Sequence, residues 1–197
     1  MQVLIVYDSQ TESLRILAQY VAEGAQSVDG AEVLLQLVKE TRLEQLLEAD
    51  AIILGSPNWH GMTAELKELI DETGLYWEEG RLAGKVGAAF TTGWSHSGGT
   101  EFTLLSILHT LLAHGMIIVG LPWSRRMASS SSYYGASSLG LPKPNDQEQA
   151  RALGRRVAEV ATAMVRGTGR KLGGVRLQTS RGYRHKGIER LDREGSS

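Results

Sequence analysis

The chain contains no cysteine at all. That excludes disulfides, thiolate metal sites and cysteine nucleophiles. It also lacks any apolar run long enough to span a bilayer,. The amino terminus enters the short apolar run Val3 to Tyr7 without a basic leader, which does not read as a signal peptide,. A cytoplasmic protein is expected. Neither a GxxxxGK phosphate loop nor a GxGxxG fingerprint is present, no GxSxG elbow surrounds Ser129 to Ser132, and no internal repeat is visible,. His60 and His96 have no second ligand at metal spacing, so no metal centre is expected,.

What is present is the composition of an ordinary globular chain. Its 197 residues are 42% hydrophobic and 22% charged, enough for one domain with a proper core. The net charge of -1 conceals an asymmetry. Residues 166–197 hold 9 Lys and Arg against 3 Asp and Glu, leaving 12 against 19 in the remainder. We read residues 1–166 as the folded domain and 167–197, rich in Gly and Arg without a core-forming period, as a basic tail. The tail carries no recognisable nucleic-acid module, so a nucleic-acid partner is not expected.

Strand and helix patterns alternate through the first 166 residues. Strands are expected at Gln2 to Tyr7, Glu32 to Leu37, Ala51 to Leu54, Val86 to Thr91 and Met116 to Val119,. Leu14, Leu17, Ala18, Val21, Ala22 and Ala25 recur at helical spacing, and a short helix is expected over Thr41 to Glu48. Further helices are expected over Thr63 to Glu72, with Gly74 as its left-handed cap, and from Thr100 to His114,. Gly120 to Pro144 shows no periodicity and reads as a loop. Asn145 and Glu148 resemble a capping box opening a last helix,. Five βα units in alternation argue an α/β fold, a parallel sheet covered by helices on both faces.

Three of these strands run into loops with unusual chemistry. After the first come Ser9, Gln10, Thr11, Glu12 and Ser13, hydroxyls and amides at a helix start, a setting that suits a phosphate,. After the third comes Gly55-Ser56-Pro57-Asn58-Trp59-His60-Gly61-Met62, and after the fourth Thr92-Gly93-Trp94-Ser95-His96-Ser97-Gly98-Gly99. Aromatics flanking glycines fit a planar ring, with backbone N–H groups approaching its polar edge.

These segments, with Gly84-Lys85 and Leu112-Ala113-His114-Gly115-Met116, resemble flavodoxin-like proteins, in particular the WrbA-type NAD(P)H:quinone oxidoreductases. The resemblance covers roughly Val3 to Val165. It implies a three-layer, doubly wound, five-stranded parallel sheet in the order 2-1-3-4-5 with FMN at the switch point. It implies Ser9, Gln10, Thr11, Glu12, Ser13 and Leu14 around the FMN phosphate. Pro57, Asn58, Trp59, His60 and Gly61 then lie on one side of the ring system, and Thr92, Gly93, Trp94, Ser95, His96 and Gly98 on the other. His114 matches a histidine at the pyrimidine edge, and Trp77 a tryptophan on the open substrate side. The implied activity is two-electron transfer from NAD(P)H to a quinone, in a homo-oligomer (dimer or tetramer). The alternatives are a flavodoxin-type one-electron carrier, or a chain that has lost its cofactor and kept an interaction role. Glu12 stands where these phosphate loops usually carry Gly, and its carboxylate repels a phosphate unless it points to solvent. The segment from Leu37 to Asp50 is too short for the insertion that contributes to the tetramer of those reductases.

Overall fold

The apolar runs become the strands of one sheet in the computed structural model, which describes residues 1–8 and 10–169. The elements are β1 (Gln2–Tyr7), α1 (Glu12–Gln26), β2 (Glu32–Leu37), α2 (Leu43–Glu48), β3 (Ala51–Pro57), α3 (Ala64–Asp71), α4 (Gly74–Glu78), β4 (Val86–Gly93), α5 (Thr100–Ala113), β5 (Ile117–Ile118), β6 (Ala136–Leu139) and α6 (Pro144–Thr168). The sheet is parallel throughout, in the order β2-β1-β3-β4-β5. The strand order reverses between β1 and β3, and such reversals open a crevice at the carboxyl ends of the strands.

The fifth strand position is interrupted. β5 pairs with the start of β4 (Val86↔Ile117) and β6 with its end (Phe90↔Ala136 to Gly93↔Leu139). The segment expected to be one loop from Gly120 to Pro144 therefore contains a strand. Ala136-Ser137-Ser138-Leu139 carries no hydrophobic alternation because its backbone pairing with β4 holds it, with Ala136 and Ser138 both buried. Two other expectations change. Gly74 does not take a left-handed conformation but opens α4. The cap of α6 is formed by Asp146, whose carboxylate accepts the Lys143 N–H at 2.8 Å, rather than by Asn145 and Glu148.

Helices pack on both faces. Leu14, Leu17 and Val21 of α1 and Leu153, Val157 and Ala161 of α6 bury against Val3, Ile5 and Phe90. Leu66 of α3 and Leu104, Ile107 and Leu111 of α5 bury against Leu4, Ile52 and Leu54. The α1/α6 crossing is close because two glycines face each other's backbones. A Cβ on Gly154 would lie 1.9 Å from the Val21 carbonyl oxygen, and one on Gly24 2.0 Å from that of Arg151. No described helix is long and apolar enough to cross a membrane.

Candidate functional site

β3 and β4 both extend past their expected ends, Pro57 pairing with Thr92, and together they bring their loops to one rim. Gly55 is required there, since a Cβ would fall 2.1 Å from the buried Phe90 ring. Pro57 closes β3 at its last position, where a missing N–H costs no ladder bond.

The β3 loop is then locked to the β4 loop through Asn58. Its backbone N–H donates to the Thr92 carbonyl at 2.8 Å, and its Nδ2 donates to the Gly98 carbonyl at 2.6 Å. Its Oδ1 accepts from Thr103 Oγ1 at 2.8 Å. Beyond it His60 is held at φ 60, left-handed for a non-glycine residue, and Gly61 at φ 129,. At the β1 loop, Thr11 Oγ1 accepts the Leu14 N–H at 3.4 Å and caps α1. The amides of Glu12 and Ser13 belong to the first helical turn, which leaves N–H groups without intrahelical partners.

The three loops meet in a solvent-open cleft of about 380 Å³ lined by Thr11, Ser13, Pro57, Asn58, Trp59, Thr92, Gly93, Trp94 and Gly140. Two of those side chains are indoles that the protein does not bury, Trp59 at 55% and Trp94 at 87% exposure. Exposed indoles on a cleft whose other walls are small and polar suit a planar, partly polar ligand. The β1 loop supplies hydroxyls and helix-start amides for a phosphate. This donor set fits FMN.

Other expected site residues take supporting positions. Leu14 is buried in the core beneath α1, and only its amide faces the loop. Glu12 is exposed and turned toward Arg15 at 3.5 Å, the solvent-facing orientation that a phosphate site requires of it. Gln10, His60 and Ser95 are exposed, and Gly98 contributes its carbonyl to the Asn58 lock. His96 lines a neighbouring cavity. Ser9 lies outside the described residues. Two residues were not anticipated. Gly140 closes the cleft through its N–H to the Gly93 carbonyl at 2.9 Å, and Thr103 completes the Asn58 lock. A glycine directly after an aperiodic Ser-Ser-Leu segment was the only visible signal for the first.

His114 and Trp77 are brought together with each other but not with the three loops. α5 runs antiparallel to the strands, so its carboxyl end, where His114 sits, reaches the opposite edge of the sheet. There Gly84 N–H donates to the Gly115 carbonyl at 2.9 Å and Ile117 N–H to that of Lys85 at 2.8 Å. His114 and the half-exposed Trp77 of α4 line one groove with Ile70 and Thr73. Thr73 Oγ1 gives its proton to the Ile70 carbonyl at 2.5 Å, so it accepts from His114 Nε2–H at 3.0 Å,. His114 Nδ1 is buried without a hydrogen-bond partner among the described residues. Burial holds this imidazole below its ordinary pKa, in the neutral form,.

A family model described as NADPH-dependent FMN reductase matches residues 38–126. A protein of Archaeoglobus fulgidus named NAD(P)H dehydrogenase (quinone) is 44% identical, over 81% of this chain and 97% of its own. The chain belongs to the NAD(P)H dehydrogenase (quinone) family. A second member of that name, from Aromatoleum aromaticum, is 39% identical over 85% of this chain and 99% of its own. Among solved structures, a WrbA-like flavodoxin from Agrobacterium tumefaciens superposes with a TM-score of 0.68 at 26% identity, covering 82% of this chain and 98% of that one. An archaeal flavodoxin superposes at 0.64 and 23% identity, a likeness of fold. The three-layer flavodoxin-like architecture expected from the sequence is thereby established.

Proposed function

We propose that this family member is an FMN-dependent oxidoreductase that moves two electrons from NAD(P)H to a quinone. The observation that carries this reading is the convergence of three strand-end loops on one cleft walled by exposed indoles and floored by a helix start. FMN held there would supply two-electron redox chemistry between a nicotinamide and a quinone. Everything else is positioning. Thr11, Ser13 and the first-turn amides of α1 hold the phosphate, whose charge the helix end favours. Trp59 and Trp94 would flank the ring system, and Asn58 fixes the separation of their loops by its bonds to Thr92, Gly98 and Thr103. The open rim leaves room for reduced nicotinamide and quinone to enter in turn.

In this reading the folded unit is residues 1–166, with 167–197 a basic extension, and the protein works in the cytoplasm. The chain functions as a homo-oligomer. His114 and Trp77 share a groove on the sheet edge remote from the cleft, so any flavin they serve belongs to a second copy.

The test is anaerobic addition of NADH or NADPH to the FMN-loaded protein, followed by steady-state turnover with a quinone. The reading predicts bleaching of the flavin band and parallel double-reciprocal lines, the pattern of alternate occupation of one site. FMN binding without bleaching overturns it in favour of the one-electron carrier.

A further inference from the structure

A second, solvent-open cavity adjoins the cleft across the β4 loop. The two share their walls residue by residue. Gly93, Trp94 and Gly140 face the cleft, whereas His96, Thr100 and Leu139, on the same two segments, face the cavity. The seam between them is the Gly140 N–H to Gly93 carbonyl bond.

This cavity holds polar groups that the fold does not use. Thr100 is 9% exposed, and its methyl faces Gly93, where an added Cβ would lie 2.6 Å from Cγ2. Its hydroxyl is thereby directed away from Gly93 and has no hydrogen-bond partner among the described residues. Asp146 is 6% exposed. One of its oxygens accepts the Lys143 N–H, and the other has no hydrogen-bond partner among the described residues. Ser130 and Ser132 are buried in the same wall, and Ser132 Oγ only accepts, from the Tyr134 N–H at 3.3 Å. The loop carrying them is pinned by Ser131, at φ 62, whose Oγ accepts the Ser137 N–H at 3.1 Å. Lys143 and His96 bring basic side chains to the cavity, and Glu101 adds an exposed carboxylate.

A cavity lined by the Asp146 carboxylate and the hydroxyl residues Thr100, Ser130 and Ser132, with Lys143 and His96 as well as the carboxylate of Glu101 along its wall, offers acceptors and donors to a sugar diol and cationic groups to a phosphate. A nicotinamide dinucleotide whose reactive ring enters the cleft has its second ribose to place nearby. We propose that this cavity holds the adenosine ribose of the nicotinamide dinucleotide, and that the free oxygen of Asp146 accepts from its diol. A carboxylate in that role selects the unphosphorylated ribose. The chain therefore uses NADH in preference to NADPH. This inference rests on the oxidoreductase reading.

The experiment is calorimetric titration of the FMN-loaded full chain with ADP-ribose and with its 2′-phosphate. ADP-ribose binds, and the 2′-phosphate binds about tenfold or more weakly because its charge meets Asp146. Asp146→Asn keeps an acceptor for the Lys143 N–H and brings the two affinities together. Thr100→Val weakens ADP-ribose about fivefold, the loss of one hydrogen bond, and leaves the FMN titration unchanged. If NADH reduces the enzyme but ADP-ribose does not bind, the inference falls and the oxidoreductase reading stands. Equal affinities for the two probes, unmoved by Asp146→Asn, also overturn it. If FMN itself does not bind, the oxidoreductase reading falls. The cavity is then judged on the cofactor-free chain, where selective ADP-ribose binding supports it and no binding overturns it.

Discussion

The two ends of the sheet treat buried polar groups in opposite ways. At the amino end they are tied into the fold. Lys85, 1% exposed, donates its ammonium to the carbonyls of Leu47 and Ala49, and Asp50, 2% exposed, accepts the Gln2 N–H at 2.9 Å. At the carboxyl end Asp8 Oδ2 and Thr63 Oγ1 are buried with no partner among the described residues, and two indoles stand in solvent. Buried polar groups in folded proteins are normally paired, so a concentration of unpaired ones marks the end that awaits a ligand. Among the described residues two atoms on the amino side depart from this, Thr162 Oγ1 late in α6 and His114 Nδ1, and His114 is the residue the family resemblance assigns to a flavin.

The largest effect is expected from breaking the sealed end. Lys85→Met leaves the Leu47 and Ala49 carbonyls buried and unpaired, and costs about 3 kcal/mol of stability. Urea denaturation measures it, and the variant that remains folded still binds FMN. At the open end Trp59→Ala does the reverse. The indole is half in solvent, so unfolding shifts little, while FMN affinity drops about tenfold through lost stacking, read by flavin titration. His114→Gln sharpens one of these departures. Because burial holds the folded imidazole below its usual 6.5, the unfolded chain binds the proton first. Native stability is therefore complete above about 6.5 and declines as pH falls from there toward the lowered native pKa. The substitution removes that decline, visible as a flatter melting temperature below pH 6.5. The smallest effect belongs to Glu12→Gln. Its carboxylate faces solvent beside Arg15, so stability changes by less than about 0.5 kcal/mol and FMN affinity stays close to that of the parent.

The open end was largely legible in the sequence, because loops after buried strands declare themselves by composition. Pro57, Asn58, Trp59, Thr92, Gly93 and Trp94 form one cleft as the alternation of strands and loops implied. What remained hidden depends on long-range pairing. β6 is held by hydrogen bonds to β4 rather than by its own pattern, and Gly140 follows from it. The sealing role of Lys85 was equally invisible, since a lysine before a strand ordinarily reads as exposed. The separation of His114 from the cleft follows from the direction of α5, and that of Trp77 from its place on α4 beyond the end of α3, which spacing along the chain does not reveal.

The most direct measurement is an equilibrium titration of the full chain with FMN, read by quenching of tryptophan emission and by the visible flavin band. The account predicts saturation at one FMN per chain, quenching that Trp59→Ala and Trp94→Ala each reduce, and bleaching on anaerobic addition of NADH. Absence of binding, or binding that neither substitution alters, would contradict it.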